Sequence, residues 1–386
     1  MTKRIYLDHA ATTPVRPEAV EAMLGCYSQA DYNASSVHAE GRAARALLDD
    51  ARERVARCLG AKAKEIVFTA GGSEADNLAI AGTARALANR GRHLVSSAIE
   101  HHAVLHTLEA LRAEGWEVTL LPVAPHGSVS PAAFASALRP DTVLASVMYV
   151  NNELGTVQPV AKLASTARER GVVFHTDAVQ AAAYLPLDVR ELGVDLLSLA
   201  GHKFYGPKGT GVLYVREGTP IAPILHGGSQ EFAKRAGTEN VAAVVGLRCA
   251  LELARRERTE AAAGVAALRD RFERLVCERI ADVRVNGAQA SRAPHISNLS
   301  FLGVNSEQLL VRLDLEGIAV SGGSACASGA VEPSHVIAAL GLPEPWTRGV
   351  IRFSLGRTTT QAEVDRAAEV LRSAVADLRM ISSAPA

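Results

Sequence analysis

Short apolar runs alternate with longer segments of helical periodicity along residues 65–215, and this alternation constrains the fold more than any other feature of the sequence. The runs are short and rich in β-branched residues, which predicts strands at residues 65–69, 93–96, 117–121, 142–149, 172–175, 194–199 and 211–215. Helices are predicted between most of them, at residues 73–88, 101–113, 131–138 and 160–170. Strands that alternate with helices form parallel sheets through crossovers, so we expect an α/β domain.

The pattern changes after residue 240. Two long helical segments, 241–259 and 260–280, precede strands at 283–286, 296–301 and 350–354 and helices at 306–315, 333–340 and 360–378. This order predicts a smaller α+β domain that also recruits the N-terminal segment. We therefore expect a large domain over residues 16–249 and a small domain over residues 1–15 and 250–386.

Composition limits the class of protein. The chain of 386 residues has 41 Lys and Arg and 41 Asp and Glu, so its formal net charge is zero. This balance gives no reason to expect a direct nucleic-acid partner. No apolar run has membrane-spanning length, and the N-terminus lacks a signal-peptide core. The five cysteines are an odd number without a CxxC pair, which is typical of a reducing compartment. We expect a soluble cytoplasmic protein that binds no membrane.

The stretch from Asp195 to Val215 carries the first candidate for chemistry. An apolar strand breaks at Ala200-Gly201 and presents His202 and Lys203 at the rim of the predicted sheet. A desolvated lysine loses its proton easily, and its free amine can attack an aldehyde to form a Schiff base. A solvated surface lysine is the alternative interpretation of Lys203.

The segment Ala70–Asn77 joins a predicted strand to a helix and contains Gly71, Gly72 and Ser73. Glycines let the backbone approach an anion closely, and the N–H groups of a helix start attract it. Neither GxGxxG nor GK[ST] is present, so the segment matches no dinucleotide fingerprint or P-loop. An ordinary strand-to-helix turn remains the alternative.

Asp177 ends an apolar predicted strand. A buried carboxylate needs a partner, because an unpaired buried charge is costly. A pyridinium nitrogen would be such a partner, and the ionised carboxylate would keep the ring protonated and electron-withdrawing. A salt bridge to an arginine and a helix cap are the alternatives.

Three histidines, His101, His102 and His106, stand at one helix start. His102 and His106 lie at i and i+4 and could share a metal, but no third ligand is near in sequence and HExxH is absent, so no metal site is predicted. A ring stacked on an aromatic cofactor is the better use of His101. Asn152 offers an amide at the same rim of the sheet.

Two residues near the C-terminus are further candidates. Cys326 lies in a loop of Gly, Ser and Ala that no core argument explains, and a thiol on such a loop can serve as a nucleophile. Arg352 interrupts the apolar strand at residues 350–354. It would suit a bidentate clamp for an α-carboxylate, and a structural ion pair is the alternative.

Together these segments resemble the cysteine desulfurases of the NifS/IscS type, which belong to the class-V aminotransferase family. The resemblance runs from Tyr6-Leu-Asp-His-Ala-Ala-Thr-Thr13 to Ile351-Arg-Phe-Ser-Leu-Gly-Arg357 and includes Glu100-His101, Asp177-Ala-Val-Gln180, Gly201-His-Lys203 and Gly323-Ser-Ala-Cys326. It implies the fold of fold-type I enzymes that use pyridoxal 5′-phosphate, with a mainly parallel seven-stranded sheet between helices and a smaller α+β domain.

The resemblance also implies roles for individual residues. Lys203 would form the Schiff base, Asp177 would pair with the pyridine nitrogen, and His101 would stack on the ring and act in acid–base steps. Gln180 and Asn152 would bind the phenolic oxygen. The phosphate would be held by Gly72, Ser73, His202 and, from the other subunit of a homodimer, Thr238. The substrate carboxylate would be bound by Arg352 and Asn33.

The implied reaction removes sulfur from L-cysteine, leaving L-alanine and a persulfide on Cys326. The sulfur would then pass to an acceptor protein, either an iron–sulfur scaffold or a tRNA-thiolation enzyme. The cysteine loop, about residues 321–332, resembles the long kind in the family, which predicts direct transfer. Ala200 replaces a phosphate-binding serine of the family, and the short C-terminal tail makes a standard scaffold partner doubtful. The alternatives are a selenocysteine lyase, another lyase or aminotransferase of the same fold, and a silent partner-binding platform.

Overall fold

The computed structural model describes residues 4–29, 32–322 and 334–383. Its main feature is a sheet of seven strands within these ranges: β2 Ile66–Thr69, β3 His93–Ser97, β4 Glu117–Leu121, β5 Thr142–Ser146, β6 Val173–Asp177, β7 Leu196–Ala200 and β8 Gly211–Val215. The order is β2-β8-β7-β6-β5-β3-β4, and only β8 runs antiparallel to its neighbours. The predicted α/β fold with a mainly parallel seven-stranded sheet is confirmed.

Helices cover this sheet: α1 Pro17–Gln29, α2 Ala39–Leu59, α3 Gly72–Asn77, α4 Thr83–Ala86, α5 His102–Ala113, α6 Pro131–Ala137, α7 Val160–Glu169 and α8 Val189–Leu192. The strands β2, β3, β5, β7 and β8 are buried along their whole length, whereas the edge strand β4 is mostly exposed or half-buried. Burial on both faces explains why the central strands read as unbroken apolar runs instead of alternating patterns.

The helix predicted at residues 73–88 is interrupted. A π-helical turn, Leu78–Gly82, separates α3 from α4. The backbone of Ala222 donates to the Gly82 carbonyl at 3.0 Å, and a Cβ at Gly82 would lie only 2.5 Å from the Ala222 oxygen. The segment around Ala222 therefore packs directly on the helix backbone at Gly82. The hydrophobic periodicity of the sequence does not reveal this contact.

A second, three-stranded antiparallel sheet has the order β12-β10-β9, with β9 Val283–Asn286, β10 Ile296–Phe301 and β12 Val350–Ser354. The N-terminal strand β1 Ile5–Tyr6 pairs in parallel with β11 Ile318–Ala319 beside it. The remaining helices are α9 Val241–Arg279, α10 Ser306–Leu315, α11 His335–Ala339, α12 Glu344–Thr347 and α13 Gln361–Ser383. None of the described helices combines the length and apolarity needed to cross a bilayer.

One local prediction is wrong. The two helices predicted at 241–259 and 260–280 form one continuous helix, α9, because the residues at the proposed junction are good helix formers and contain no breaker. The predicted domain boundary after residue 249 lies inside this helix, and the division into domains stays a prediction. Helix α2 is capped by His38, whose Nδ1 accepts from the Gly41 N–H at 3.2 Å.

Candidate active site

The carboxyl ends of β2, β6 and β7 meet at one edge of the large sheet, where they line a cavity of about 280 Å³. Parallel strands deliver their ends to the same edge, so residues far apart in sequence converge there. The cavity brings together nine residues predicted from the sequence: Gly72, Ser73, His101, Asn152, Asp177, Gln180, His202, Lys203 and Arg352. Other lining residues include Ala10, Ala11, Asp76, Met148, Val150, Val179 and Ala200.

Lys203 ends a short 3₁₀ turn, Gly201–Lys203, that follows β7 directly. Its side chain is half-buried and turns into the cavity instead of into bulk water. The Nζ atom donates hydrogen bonds to the carbonyl oxygens of Ala10 at 2.5 Å and Ala11 at 2.7 Å. The lysine therefore projects into the cavity and is held against the N-terminal segment.

Asp177 is the last residue of β6 and is buried at the cavity wall. Its Oδ1 accepts the Val179 N–H at 2.9 Å, and no arginine of the described ranges forms an ion pair with it. Burial raises the pKa of Asp177 to about 6, while the Val179 hydrogen bond and the positive charge of Lys203 act in the opposite direction. A cationic partner in the cavity would stabilise the ionised carboxylate further.

A second carboxylate, Asp76, lines the same cavity and was missed by the sequence analysis. It is buried, its Oδ1 has no hydrogen-bond partner in the described part of the chain, and it lies 3.7 Å from His175 Nε2. Burial raises its pKa, and the nearby charge of Asp177 raises it further. The signal was present: Asp76 follows Gly72 by four residues, and residues at i and i+4 share a helix face.

Behind the two carboxylates, His175 connects neighbouring strands. Its Nδ1 lies 2.8 Å from Ser146 Oγ and its Nε2 lies 2.9 Å from Ser198 Oγ. Burial lowers the pKa of His175 to about 3, so the ring is neutral at physiological pH. These hydrogen bonds hold the strand ends that carry the site in fixed register.

His101 caps helix α5, where its Nδ1 accepts the Ala103 N–H at 3.1 Å. Burial, followed by the positive charge of Lys203, lowers its pKa to about 4, so the ring is neutral. The rings of His102 and His106 lie 4.9 Å apart, with His335 4.8 Å from His102. In the part of the chain that the structure describes, no three histidine, cysteine or acidic side chains form a possible metal site.

The turn between β2 and α3 forms a close-fitting wall. A Cβ at Gly72 would come 2.9 Å from Val179 Cγ2 and 3.3 Å from Ala200 Cβ, so glycine permits an approach that alanine would obstruct. Gly72 and Ser73 precede the first helical hydrogen bond, from Ala75 N to the Gly71 carbonyl at 3.1 Å, and their N–H groups can serve an anion.

Arg352 lies in the middle of β12 and is 2% exposed. Its Nη1 donates to the Asn152 carbonyl and its Nη2 donates to Asp8 Oδ1, both at 2.9 Å. The Nε atom is buried and has no partner in the described ranges. The ion pair considered from the sequence thus exists, yet the guanidinium also lines the cavity and retains donors for a ligand.

Two predicted site residues within the described ranges do not line this cavity. Asn33 is exposed, and its Oδ1 accepts the Ser35 N–H at 2.8 Å. Thr238 is exposed on a loop outside the cavity lining. Cys326 and nearly all of the predicted loop lie outside the described residues; the loop begins at Ser321, whose backbone exchanges hydrogen bonds with Arg352 at 2.7 and 3.2 Å.

The model of the family described as aminotransferase class-V matches residues 5–367.

The chain belongs to the class-V aminotransferase family.

Among curated members of this family, the chain is 48% identical over 382 residues to the cysteine desulfurase IscS of Dictyoglomus turgidum, covering 99% of this chain and 97% of that protein. It is 47% identical to the cysteine desulfurase IscS of Methanosarcina thermophila, covering 98% and 94%. The family predicted from the sequence is confirmed.

Solved structures share the fold of this chain. A NifS-like protein superposes with a TM-score of 0.91 at 33% identity, covering 97% of this chain and all of that one. A structure described as SspA in complex with cysteine superposes with a TM-score of 0.81 at 37% identity, covering 92% and 100%.

Proposed function

We propose that this protein is a cysteine desulfurase that uses pyridoxal 5′-phosphate. The observation that carries the proposal is the single cavity in which Lys203, Asp177, His101 and Arg352 meet. The names of relatives close to half identical over nearly the full chain support the same activity.

The cavity residues fit the cofactor. Asp177 is a buried carboxylate whose pKa is raised by burial, and a protonated pyridine nitrogen would supply the charge that such a group lacks. Asn152 Oδ1 is buried without a partner in the described ranges, at the rim where the phenolic group would bind together with Gln180. Gly72, Ser73 and His202 would hold the phosphate, and Ala200 offers no hydroxyl there.

When bound, the cofactor withdraws electrons from the substrate Cα, which allows the bond between Cβ and Sγ to break. Lys203 would carry the cofactor and afterwards move protons at Cα. His101, neutral because burial lowers its pKa to about 4, can stack on the ring and accept a proton. Arg352, and Asn33 if its loop turns inward, would bind the substrate α-carboxylate.

Cys326 would act as the nucleophile. Its thiolate attacks the substrate sulfur, the Cβ–Sγ bond breaks, and the bond electrons remain on the substrate carbon, which takes up a proton and leaves as L-alanine. The persulfide then passes to an acceptor protein of iron–sulfur assembly or tRNA thiolation. Other cysteines suit this role poorly, since burial raises the pKa of Cys58 to about 11 and also raises that of Cys249 and Cys277.

We further propose that the protein is a homodimer. Thr238 is exposed and does not line the cavity of its own subunit, which is consistent with phosphate binding in the partner subunit.

The test is to incubate the cofactor-loaded protein with L-cysteine, quantify L-alanine, and locate the persulfide by mass spectrometry. We expect equimolar L-alanine and sulfane sulfur, with the extra sulfur on Cys326. Cys326→Ala should abolish sulfur release, and Lys203→Ala should abolish turnover. Undiminished release of sulfur by Cys326→Ala would favour a selenocysteine lyase or another lyase of this fold.

A further inference from the structure

The N-terminal turn from Asp8 to Ala11 contacts both cationic side chains of the cavity. The carbonyls of Ala10 and Ala11 accept from Lys203 Nζ, and the Asp8 carboxylate accepts from Arg352 Nη2 at 2.9 Å. Two groups that would meet the amino-acid ligand are thus held by four consecutive residues.

The small sheet fixes the position of Asp8. The Ser354 N–H donates to the Leu7 carbonyl at 2.7 Å, the His9 N–H donates to the Ser354 carbonyl at 3.2 Å, and the Ala10 N–H donates to Ser354 Oγ at 2.8 Å. Ser354 and Arg352 are two residues apart on β12, so their side chains lie on the same face of the strand. The strand that carries the arginine therefore also positions its carboxylate partner.

The guanidinium of Arg352 is only partly satisfied by these contacts. A guanidinium has five N–H donors. Within the described ranges, Nη1 and Nη2 of Arg352 each donate one hydrogen bond to a protein oxygen, and Nε has no acceptor. A buried donor without an acceptor is costly, so an acceptor supplied by a ligand in the adjoining cavity is favoured. A carboxylate matches this planar set of donors.

We propose that Asp8 is the residue that positions Arg352 for substrate binding, holding one hydrogen of Nη2 so that Nε and the remaining hydrogens receive the α-carboxylate of the amino acid. This inference rests on the proposed function for the identity of the substrate. Asp8 acts through Arg352 and does not itself take part in the reaction. The Asn152 carbonyl assists from the other terminal nitrogen.

The alternative is that Asp8 occupies the carboxylate site and must be displaced. The two possibilities predict opposite effects of removing the carboxylate. If Asp8 positions Arg352, its loss weakens binding of ligands that carry an α-carboxylate. If Asp8 competes, its loss strengthens their binding.

The experiment compares two ligands of the cofactor-loaded protein, L-alanine and ethylamine, which is L-alanine without its carboxylate. Binding is followed by the absorbance of the cofactor. For Asp8→Ala we expect the Kd of L-alanine to rise about tenfold or more, as expected for a lost charge-assisted contact, and the Kd of ethylamine to stay unchanged. With L-cysteine, KM should rise while kcat changes little.

Two further variants make the test specific. Asp8→Asn keeps an oxygen acceptor for Nη2 and should stay within about threefold of the wild type. Asp314→Ala removes the exposed ion pair between Asp314 and Arg4, which also attaches the N-terminal segment, and should change neither Kd. A purely structural role of Asp8 would affect both ligands alike.

A lower Kd for L-alanine in Asp8→Ala, or equal changes for both ligands, would overturn the proposal. So would a wild type that binds L-alanine and ethylamine with the same affinity, because Arg352 would then not recognise the carboxylate. Failure of the wild type to form L-alanine from L-cysteine would overturn the proposed function alone. The two titrations would still decide the role of Asp8.

Discussion

Replacing Glu231 by alanine should destabilise the protein more than most single substitutions. The Glu231 carboxylate forms two hydrogen bonds with Arg52, at 2.6 and 2.7 Å, and the two side chains are 1% and 5% exposed. Glu231 also accepts the Phe68 N–H at 2.8 Å, and Arg52 donates to the Ile66 carbonyl at 2.6 Å. The pair therefore attaches the loop containing Glu231 to strand β2 at the edge of the large sheet.

The loop depends on this attachment because its backbone is strained. Residues Glu231, Phe232 and Ala233 have φ angles of 47°, 58° and 59°. Each non-glycine residue in this left-handed region costs about 1–2 kcal/mol. The Phe232 ring lies under the guanidinium of Arg52, 5.0 Å from its carbon, so the pair also fixes the residue at the centre of the turn.

The magnitude follows from burial. Removing one partner of a buried ion pair leaves a charge without compensation and costs about 3–5 kcal/mol. As a matched control, Glu117→Ala removes the exposed pair between Glu117 and Arg139, whose side chains are 69% and 40% exposed, and should cost at most about 1 kcal/mol. The free energy of unfolding is measured by urea titration followed by circular dichroism.

A double variant sharpens the test. Arg52→Ala leaves the Glu231 carboxylate without its ion-pair partner, and Glu231→Ala does the same to the Arg52 guanidinium. The double variant leaves neither charge buried, so its loss of unfolding free energy should be clearly smaller than the sum of the two single losses. If Glu231→Ala cost no more than the Glu117→Ala control, or if the two single costs simply added, the reasoning from burial would be refuted.

Two further predictions concern Glu100 and Gly72. Burial raises the pKa of Glu100 to about 8, although hydrogen bonds from Ser97 Oγ and the Met148 N–H act to lower it. Because the folded protein binds this proton more tightly than the unfolded chain, protonation of Glu100 contributes stability that is fully present below about pH 4.5 and is lost as the pH rises through 8. The stability of Glu100→Gln relative to that of the wild type, measured as the difference in their free energies of unfolding, should accordingly be greater at pH 9 than at pH 6. A difference that does not change with pH would contradict this. Gly72→Ala should lower the free energy of unfolding by about 1–3 kcal/mol, because the new Cβ would contact Val179, and it should weaken cofactor binding. The control is Gly264→Ala, at an exposed helical position with nothing within 4 Å of the new Cβ, which should stabilise the protein by about 0.5–1 kcal/mol in the same urea assay. A Gly72→Ala protein with wild-type stability and cofactor affinity would contradict the prediction.

The sequence by itself determined the large sheet and most of the residues around its edge. Strands buried on both faces are continuous apolar runs, and a polar residue at the end of such a run is conspicuous, which is how Asp177 and Lys203 were found. The strands at 117–121, 211–215, 283–286 and 296–301 have the predicted bounds. The hydrophobic pattern of a segment is therefore enough to predict a strand where the strand is buried on both faces.

Only the tertiary structure decided what closes the cavity. Asp8, Ala10 and Ala11 precede Lys203 by almost two hundred residues, and nothing in a short turn of small residues indicates that its carbonyls and carboxylate will meet a lysine and an arginine. The π-helical turn before α4 likewise contacts a distant segment, because the Gly82 carbonyl accepts the backbone N–H of Ala222. Such features arise from pairing between distant segments, and periodicity within one segment carries no information about the partner it will meet.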